Sequence, residues 1–329
     1  MPETPAREIP AVAGTTRIIR PLQEADLPQA QRTLRVAFGT FLGAPDRESF
    51  WSDLDYVYGR FGAEHTAAFA AQDEAGAVLG SSFATRWGSV GFFGPLSTRP
   101  DLWDGGIGQR LVAAACEQFE DWGARHAGLC TLAQSAKHIG LYGKFGFYPR
   151  FLTAIMAAPA SAHSLPGAVS RYSRLDPDQR LEAENESREL TEALYPGLDL
   201  RSEMRTVLAR SLGDTILLRD QTSRLAGFAV CHWGPASEAG EGYCYAKFAA
   251  ARPGPGADER FGALLDAGVG LAREAQMPNF LAGVNLAREE AYRLMVARGF
   301  RTMIQCVAMH RPNEPGYSRP GLFVLDDWR

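Results

Sequence analysis

The sequence has no apolar run that approaches the roughly 20 residues of a membrane span. Its opening stretch, MPETPAREIPAVAG, has no apolar signal core. Both absences lead to the expectation of a cytoplasmic protein with no membrane partner. There is no basic excess either. Lys and Arg number 34 against 38 Asp and Glu, a net charge of −4, so nothing sequence-wide attracts nucleic acid. Cysteine is sparse. Cys116, Cys130, Cys231, Cys244 and Cys306 are odd in number and form no C-x-x-C pair. That fits reduced thiols used as small apolar fillers rather than a disulfide framework, and no metal is expected. A catalytic Cys130 is the lesser alternative, because nothing nearby marks a His paired with it. Two phosphate-binding signatures are also missing: G-x-G-x-x-G and G-x-x-x-x-G-K-[ST].

What is present is enough for packed cores. Hydrophobic residues make up 46% of 329 residues, a length that suggests two domains at roughly 100–200 residues each. The organising stretch is Leu96 to Leu111, LSTRPDLWDGGIGQRL. An apolar strand, Val90 to Leu96, leads into it and stops by Pro100. A loop with Gly105, Gly106 and Gly108 follows, and then a helical pattern begins. A strand, a glycine-rich turn and a helix aim several backbone N–H groups at an anion. Glycine lets the backbone approach closely, and the helix dipole adds positive potential. An ordinary strand–helix turn would have the same outline.

Strands are expected at Thr16–Pro21, Thr66–Ala71, Ala77–Trp87 and Gly128–Leu132, with a turn at Asp73–Gly76. Helices are expected over Ala25–Phe38, with Leu27, Leu34 and Ala37 on one face, and over Ile107–Trp122, with Ile107, Leu111, Ala115 and Phe119 buried. A further helix is expected over Arg47–Arg60. Its Phe50, Trp51, Tyr56 and Tyr58 either enter the core or line a pocket. A helix from Ser135 ends at Gly146, a plausible C-cap. The stretch Ala157–Val169 is small and rich in Pro, Gly and Ser, as a linker is.

Two motifs resemble one family, the GNAT acetyl-CoA-dependent N-acyltransferases. The family loop runs V-x-P-x-x-[RQ]-x-x-G-x-[GA]. Thr98, Pro100, Gly106 and Gly108 stand at its V, P and last two small positions, and Trp103 replaces the Arg or Gln. The second family pattern is N-x-x-A-x-x-x-Y-x-K-x-G-F. Tyr142, Lys144, Gly146 and Phe147 match it, Ser135 replaces the Asn, and the Ala position is shifted.

The resemblance implies an acetyl-CoA site made by Leu96, Ser97, Thr98, Trp103, Asp104, Gly105, Gly106, Ile107, Gly108, Gln109 and Ser135. The loop amides would hold the pyrophosphate. Ser135 would either meet the pantetheine arm or cap its helix. Tyr142 would be the general acid for the departing thiolate; the plainer role is a packed aromatic. Lys137 and His138 are expected in solvent, with Lys137 a candidate for coenzyme phosphates.

Beyond the linker the plan repeats at an offset of 153 residues. Arg99-Pro100 meets Arg252-Pro253, Leu111 meets Leu264, and Gly146-Phe147 meets Gly299-Phe300. The site does not repeat. Gly106 becomes Glu259, Gly108 becomes Phe261, Tyr142 becomes Met295 and Ser135 becomes Arg288. Charge, bulk and loss of a donor each oppose a second coenzyme, unless Gly254 and Gly256 form a displaced loop. The apolar end, Gly321–Arg329, is expected to dock in a sheet.

The fold expected is therefore α/β: two tandem GNAT-like domains, each a mixed, twisted sheet flanked by helices. Residues 1–15 would be a tail, 16–157 the catalytic domain, 158–168 a linker and 169–329 a degenerate copy. The expected activity is acetyl transfer to an amine on a small molecule or peptide. The alternative is a non-catalytic coenzyme-binding, regulatory or scaffold protein, and a homodimer is compatible with either. Glu48, Asp53 and the C-terminal carboxylate are candidate bases that no spacing supports, and His232 is read as structural.

Overall fold

The computed structural model describes residues 17–160 and 169–329. The expected tail, 1–15, and most of the expected linker lie outside the described residues. Ala158 and Pro159 close a strand.

In the first half, β1 (Ile18–Pro21) is followed by α1 (Leu27–Phe41) and a single helical turn, α2 (Val57–Arg60). Next come β2 (Thr66–Gln72), β3 (Val78–Trp87) and β4 (Val90–Thr98). Then α3 (Ile107–Asp121), β5 (His126–Leu132), α4 (Ala136–Gly143) and β6 (Tyr148–Pro159) complete it. The second half runs β7 (Val169–Arg171), α5 (Pro177–Leu194), α6 (Arg201–Ala209), β8 (Gly213–Arg219), β9 (Leu225–Gly234) and β10 (Gly240–Ala251). It ends with α7 (Ala257–Glu274), β11 (Asn279–Asn285), α8 (Glu289–Ala297), β12 (Arg301–Arg311) and β13 (Val324–Leu325). From β5 onward the elements match at the offset of 153 residues: β5 starts at His126 and β11 at Asn279, β6 at Tyr148 and β12 at Arg301, whereas β10 and α7 each start three residues earlier than that offset places them.

The local chemistry explains most boundaries. α1 carries Pro28 in its first turn and buries Leu27, Ala30, Leu34 and Ala37 on one face. α5 begins with Pro177 and a capping box between Asp176 and Gln179. The expected helix over Arg47–Arg60 is corrected to turns ending in α2. Asp46 accepts the N–H groups of Glu48 and Ser49, and Asp55 accepts that of Tyr58. These side chains offer the backbone an alternative to helix bonds. Leu54 bridges to Ser237 of the second half instead.

The two halves share one sheet. Its order is β1-β2-β3-β4-β5-β12-β6-β11-β10-β9-β8-β7. Each half inserts its last long strand beside the other half's penultimate one. β12 pairs antiparallel with β5, Cys306 opposite Leu132. β6 pairs antiparallel with β11, Thr153 opposite Asn285. The exchanged strands also pair with each other. One apolar cluster lies under α3 and α4, around Phe93, Val112, Phe119 and Phe147. A larger one lies under α7 and α8, around Phe261, Leu265, Phe280 and Met295.

Candidate functional site

β4 and β5 run parallel for only three positions, Val90–Phe92 beside His126–Gly128. They then separate. β4 keeps β3 on its other side, with Ser82 opposite Leu96, Ser81 opposite Ser97 and Gly80 opposite Thr98. The β5-facing edge of Leu96, Ser97 and Thr98 has no strand on it among the described residues. The separation coincides with a bulge at Gly94-Pro95, where one residue of β3 opposes two of β4. Ser97 is buried, and its hydroxyl meets no partner among the described residues.

Above the open edge, the α3 N-terminus is uncapped. Gly106 is the N-cap residue, in the left-handed region at φ 79°, and no side chain among the described residues caps the helix. A Cβ on Gly106 would meet nothing within 4 Å, so this turn faces open space. A helix leaves its first amides without intrahelical partners. Here those belong to Gly106, Ile107, Gly108 and Gln109, and the first turn carries no acidic residue. The set can cradle an anion.

Side chains hold the loop in place. Trp103 Nε1 donates to the Thr98 carbonyl at 3.1 Å, tying the loop to the strand end. Lys137 pairs with Asp104 at 2.8 Å and lies 5.6 Å from the Trp103 ring centre. Arg17 donates to the Gly105 carbonyl at 2.8 Å. Lys137 therefore ties α4 to the loop, a role no sequence pattern signals.

Ser135 is the N-cap of α4, accepting from the His138 N–H, and its Oγ lies 2.8 Å from His138 Nδ1. His138 is half-buried, not in solvent as expected: its ring packs 4.9 Å from Phe41. Burial holds its pKa below the usual value. Tyr142 lies one turn further along α4, 8% exposed, and its ring meets Phe93 edge-on at 5.5 Å. Burial raises its pKa, so the phenol stays protonated at neutral pH. Among the described residues no hydrogen bond ties down its hydroxyl. Phe93 directly precedes the bulge, so Tyr142 stands where β4 and β5 part.

On the far side of the bulge is a buried charged group spanning both halves. Arg60 pairs bidentately with Glu238, at 2.7 and 2.8 Å, and also donates to the Gly94 carbonyl. Lys247 bridges Glu238 at 2.8 Å and Glu203 at 3.1 Å. Arg60 and Lys247 hold the Glu238 carboxyl far below its usual range despite burial. The sequence reading missed this group, because its members are scattered from 60 to 247.

The candidate bases are engaged elsewhere. Glu48 pairs with Arg32 at 2.7 Å, and Asp53 accepts the Glu241 N–H at 2.7 Å. The carbonyl oxygen of Arg329 accepts from Arg60. His232 is buried with no hydrogen-bond partner among the described residues, and burial pushes it down to about 4. Tyr56 is buried beside Arg60, whereas Trp51 packs on Phe38 and Phe50, and Tyr58 is exposed.

The second half has a different arrangement. β10 and β11 pair over Tyr243–Ala246 and Asn279–Ala282 and then separate as well. The expected match of Gly106 with Glu259 is corrected: Gly256 is the left-handed N-cap of α7, as Gly106 is of α3, because α7 starts three residues earlier, and Asp258 and Glu259 occupy that helix's first turn. Arg260 donates to the carbonyls of Arg252 and Gly254. Phe261 and Met295 are fully buried.

Comparison with known proteins agrees with this outline. The model of the acetyltransferase (GNAT) family matches residues 32–147. A search of curated proteins finds no match. Among solved structures, a Pyrococcus horikoshii protein named as an acetyltransferase is similar at 12% identity and a TM-score of 0.66, covering 98% of both chains. A GCN5-related N-acetyltransferase from Sphaerobacter thermophilus has 19% identity and a TM-score of 0.56, over 90% of this chain and 95% of that one. A tandem GNAT protein from the clavulanic acid biosynthesis pathway has 16% identity and a TM-score of 0.53, over 90% and 98%. At these identities the likeness is one of fold. Residues 32–147 thus match the GNAT acetyltransferase family, within a chain that has the fold of the tandem GNAT proteins.

Proposed function

We propose that the first half, 16–157, transfers the acetyl group of acetyl-CoA to a primary amine on a small molecule or peptide. The observation that carries this reading is a convergence. The uncapped α3 amides, the open edge of Leu96–Thr98 and the unbonded Tyr142 phenol all border the gap between β4 and β5. The residues present fit the coenzyme: amides and a helix dipole suit a pyrophosphate, and a free strand edge suits the amides of a pantetheine arm. When bound, acetyl-CoA supplies the activated acyl group.

The chain's own residues do the rest. Gly106, Ile107, Gly108 and Gln109 would bind the anion, with Trp103 and Asp104 holding the loop's shape. Ser135 supports the same site as a helix cap. Tyr142 would give its Oη proton to the leaving sulfur, and its apolar surroundings keep that proton in place until it is needed. Positioning and charge stabilisation supply the remainder of the effect. Five free thiols fit a reducing compartment, and the reading puts the enzyme in the cytoplasm. The test is direct: incubate the full chain with acetyl-CoA and an amine panel, and follow free thiol release. Acceptor-dependent release supports the reading; coenzyme binding with no release on any amine would leave a binding protein.

A further inference from the structure

In the second half, the gap between β10 and β11 is filled by the chain itself. Val324 and Leu325 pair antiparallel with Ala250 and Ala249. The Ala251 N–H donates to the Phe323 carbonyl at 3.0 Å, and the Asp326 N–H to the Gly283 carbonyl at 2.9 Å. At the offset of 153 residues, Ala249, Ala250 and Ala251 are the counterparts of Leu96, Ser97 and Thr98. The segment therefore lies on the strand edge that is open in the first half.

We propose that this groove has become a site for an extended peptide strand, and that Phe323–Asp327 is its resident occupant. The proposal rests on the coenzyme reading of the first half for what the groove once held. Residues that oppose a second coenzyme are the ones that grip the strand. Phe261, 153 residues after Gly108, packs its ring 5.4 Å from that of Phe323. Arg288, at the position of Ser135, is fully buried. It donates to the Val324 carbonyl at 2.9 Å and to the Asp326 carboxylate at 2.5 Å. Tyr317 donates its hydroxyl to the same carboxylate. Met295, at the position of Tyr142, joins the cluster that holds Phe323 and Leu325. Val324 points to the opposite face and enters another cluster. That alternation is what a strand buried on both faces requires.

The ligand class follows from these contacts. It is an extended backbone with an apolar residue against Phe261, a second apolar residue two positions on, and a carboxylate one further for Arg288 and Tyr317. A coenzyme pyrophosphate would instead face Asp258 and Glu259.

Hydrogen exchange on the full chain tests this, with and without excess acetyl-CoA. The expected result is slow exchange over 322–327, unchanged by acetyl-CoA, and a titration that saturates at one equivalent per chain. Arg288→Ala should speed exchange over 322–327 by about tenfold or more, with coenzyme affinity unchanged. Phe323→Ala should do the same and serves if Arg288→Ala fails to fold. Exchange over 322–327 that is fast in the wild type, unaltered in both variants, or accelerated by acetyl-CoA would overturn the proposal. So would a second equivalent bound. If 322–327 is protected but acetyl-CoA gives no protection over 103–108, the coenzyme reading of the first half fails and the strand site stands.

Discussion

Ser97 and Ala250 hold the same place in two copies of one strand, yet among the described residues only Ala250 of the two has a strand on its outer edge, where it pairs with Val324. The contrast says where a ligand can enter the first half, and why the second half does not offer the same entry.

Gly106→Glu should abolish acetyl-CoA binding. The left-handed backbone at Gly106 costs a side chain about 1 kcal/mol. The new Cβ meets nothing within 4 Å, so the fold survives. The carboxylate would enter the space the α3 amides face. Calorimetry that finds wild-type affinity would move the coenzyme elsewhere; Gly106→Ala controls for backbone strain.

Tyr142→Phe should keep acetyl-CoA affinity and lower kcat on the true acceptor by about 10²–10⁴, less where water can supply the proton. The ring contact with Phe93 survives the change, so packing is preserved. Wild-type turnover would make Tyr142 a packing residue.

Much of this site was legible in sequence because its parts are local. A glycine-rich turn between an apolar strand and an apolar helix is written in consecutive residues, and so is the Tyr142–Phe147 pattern. The repeat was legible for the same reason: Leu111 and Leu264, and Gly146-Phe147 and Gly299-Phe300, fall at one spacing, although α7 starts three residues earlier than that spacing places it. Pairing was not legible. β6 and β12 fit either neighbour by their patterns, and only the folded sheet shows that they exchange. The end segment was expected to dock in a sheet, but nothing in its composition names β10 as the partner. Residues 47–56 misled because their aromatics suggested a helix, while Asp46 and Asp55 drew the backbone N–H groups into turns.

Glu238→Gln should destabilise the chain by about 3–5 kcal/mol, because Arg60 and Lys247 would share a buried site with less opposing charge. Urea unfolding measures it. Combining it with Arg60→Met should cost less than the two single changes added together. A loss below about 1 kcal/mol, as at exposed pairs, would show that water reaches this site.

Stability should fall in mild acid through a histidine pair. His126 Nε2 lies 3.0 Å from His310 Nδ1, with both rings buried. Burial pushes His126 down to about 4, and burial with His126 nearby pushes His310 down to about 3. Both folded values lie below the unfolded 6.5, so the unfolded chain takes up protons first as pH falls. The contribution is whole above about 6.5 and is lost progressively towards the folded values, on the order of a few kcal/mol per ring. His310→Gln should reduce the drop in Tm between about pH 7 and about pH 5. Equal drops in variant and wild type would assign the acid sensitivity to other groups.

The strand exchange has a mechanical consequence. β5, β12, β6 and β11 are consecutive rungs of one hydrogen-bonded ladder, drawn alternately from the two halves. A hinge between the halves would have to shear that ladder, so neither can swing open over the other as separate lobes do. The turns of residues 44–56 and the loop before α3 stand outside that ladder, so movement there leaves its hydrogen bonds intact.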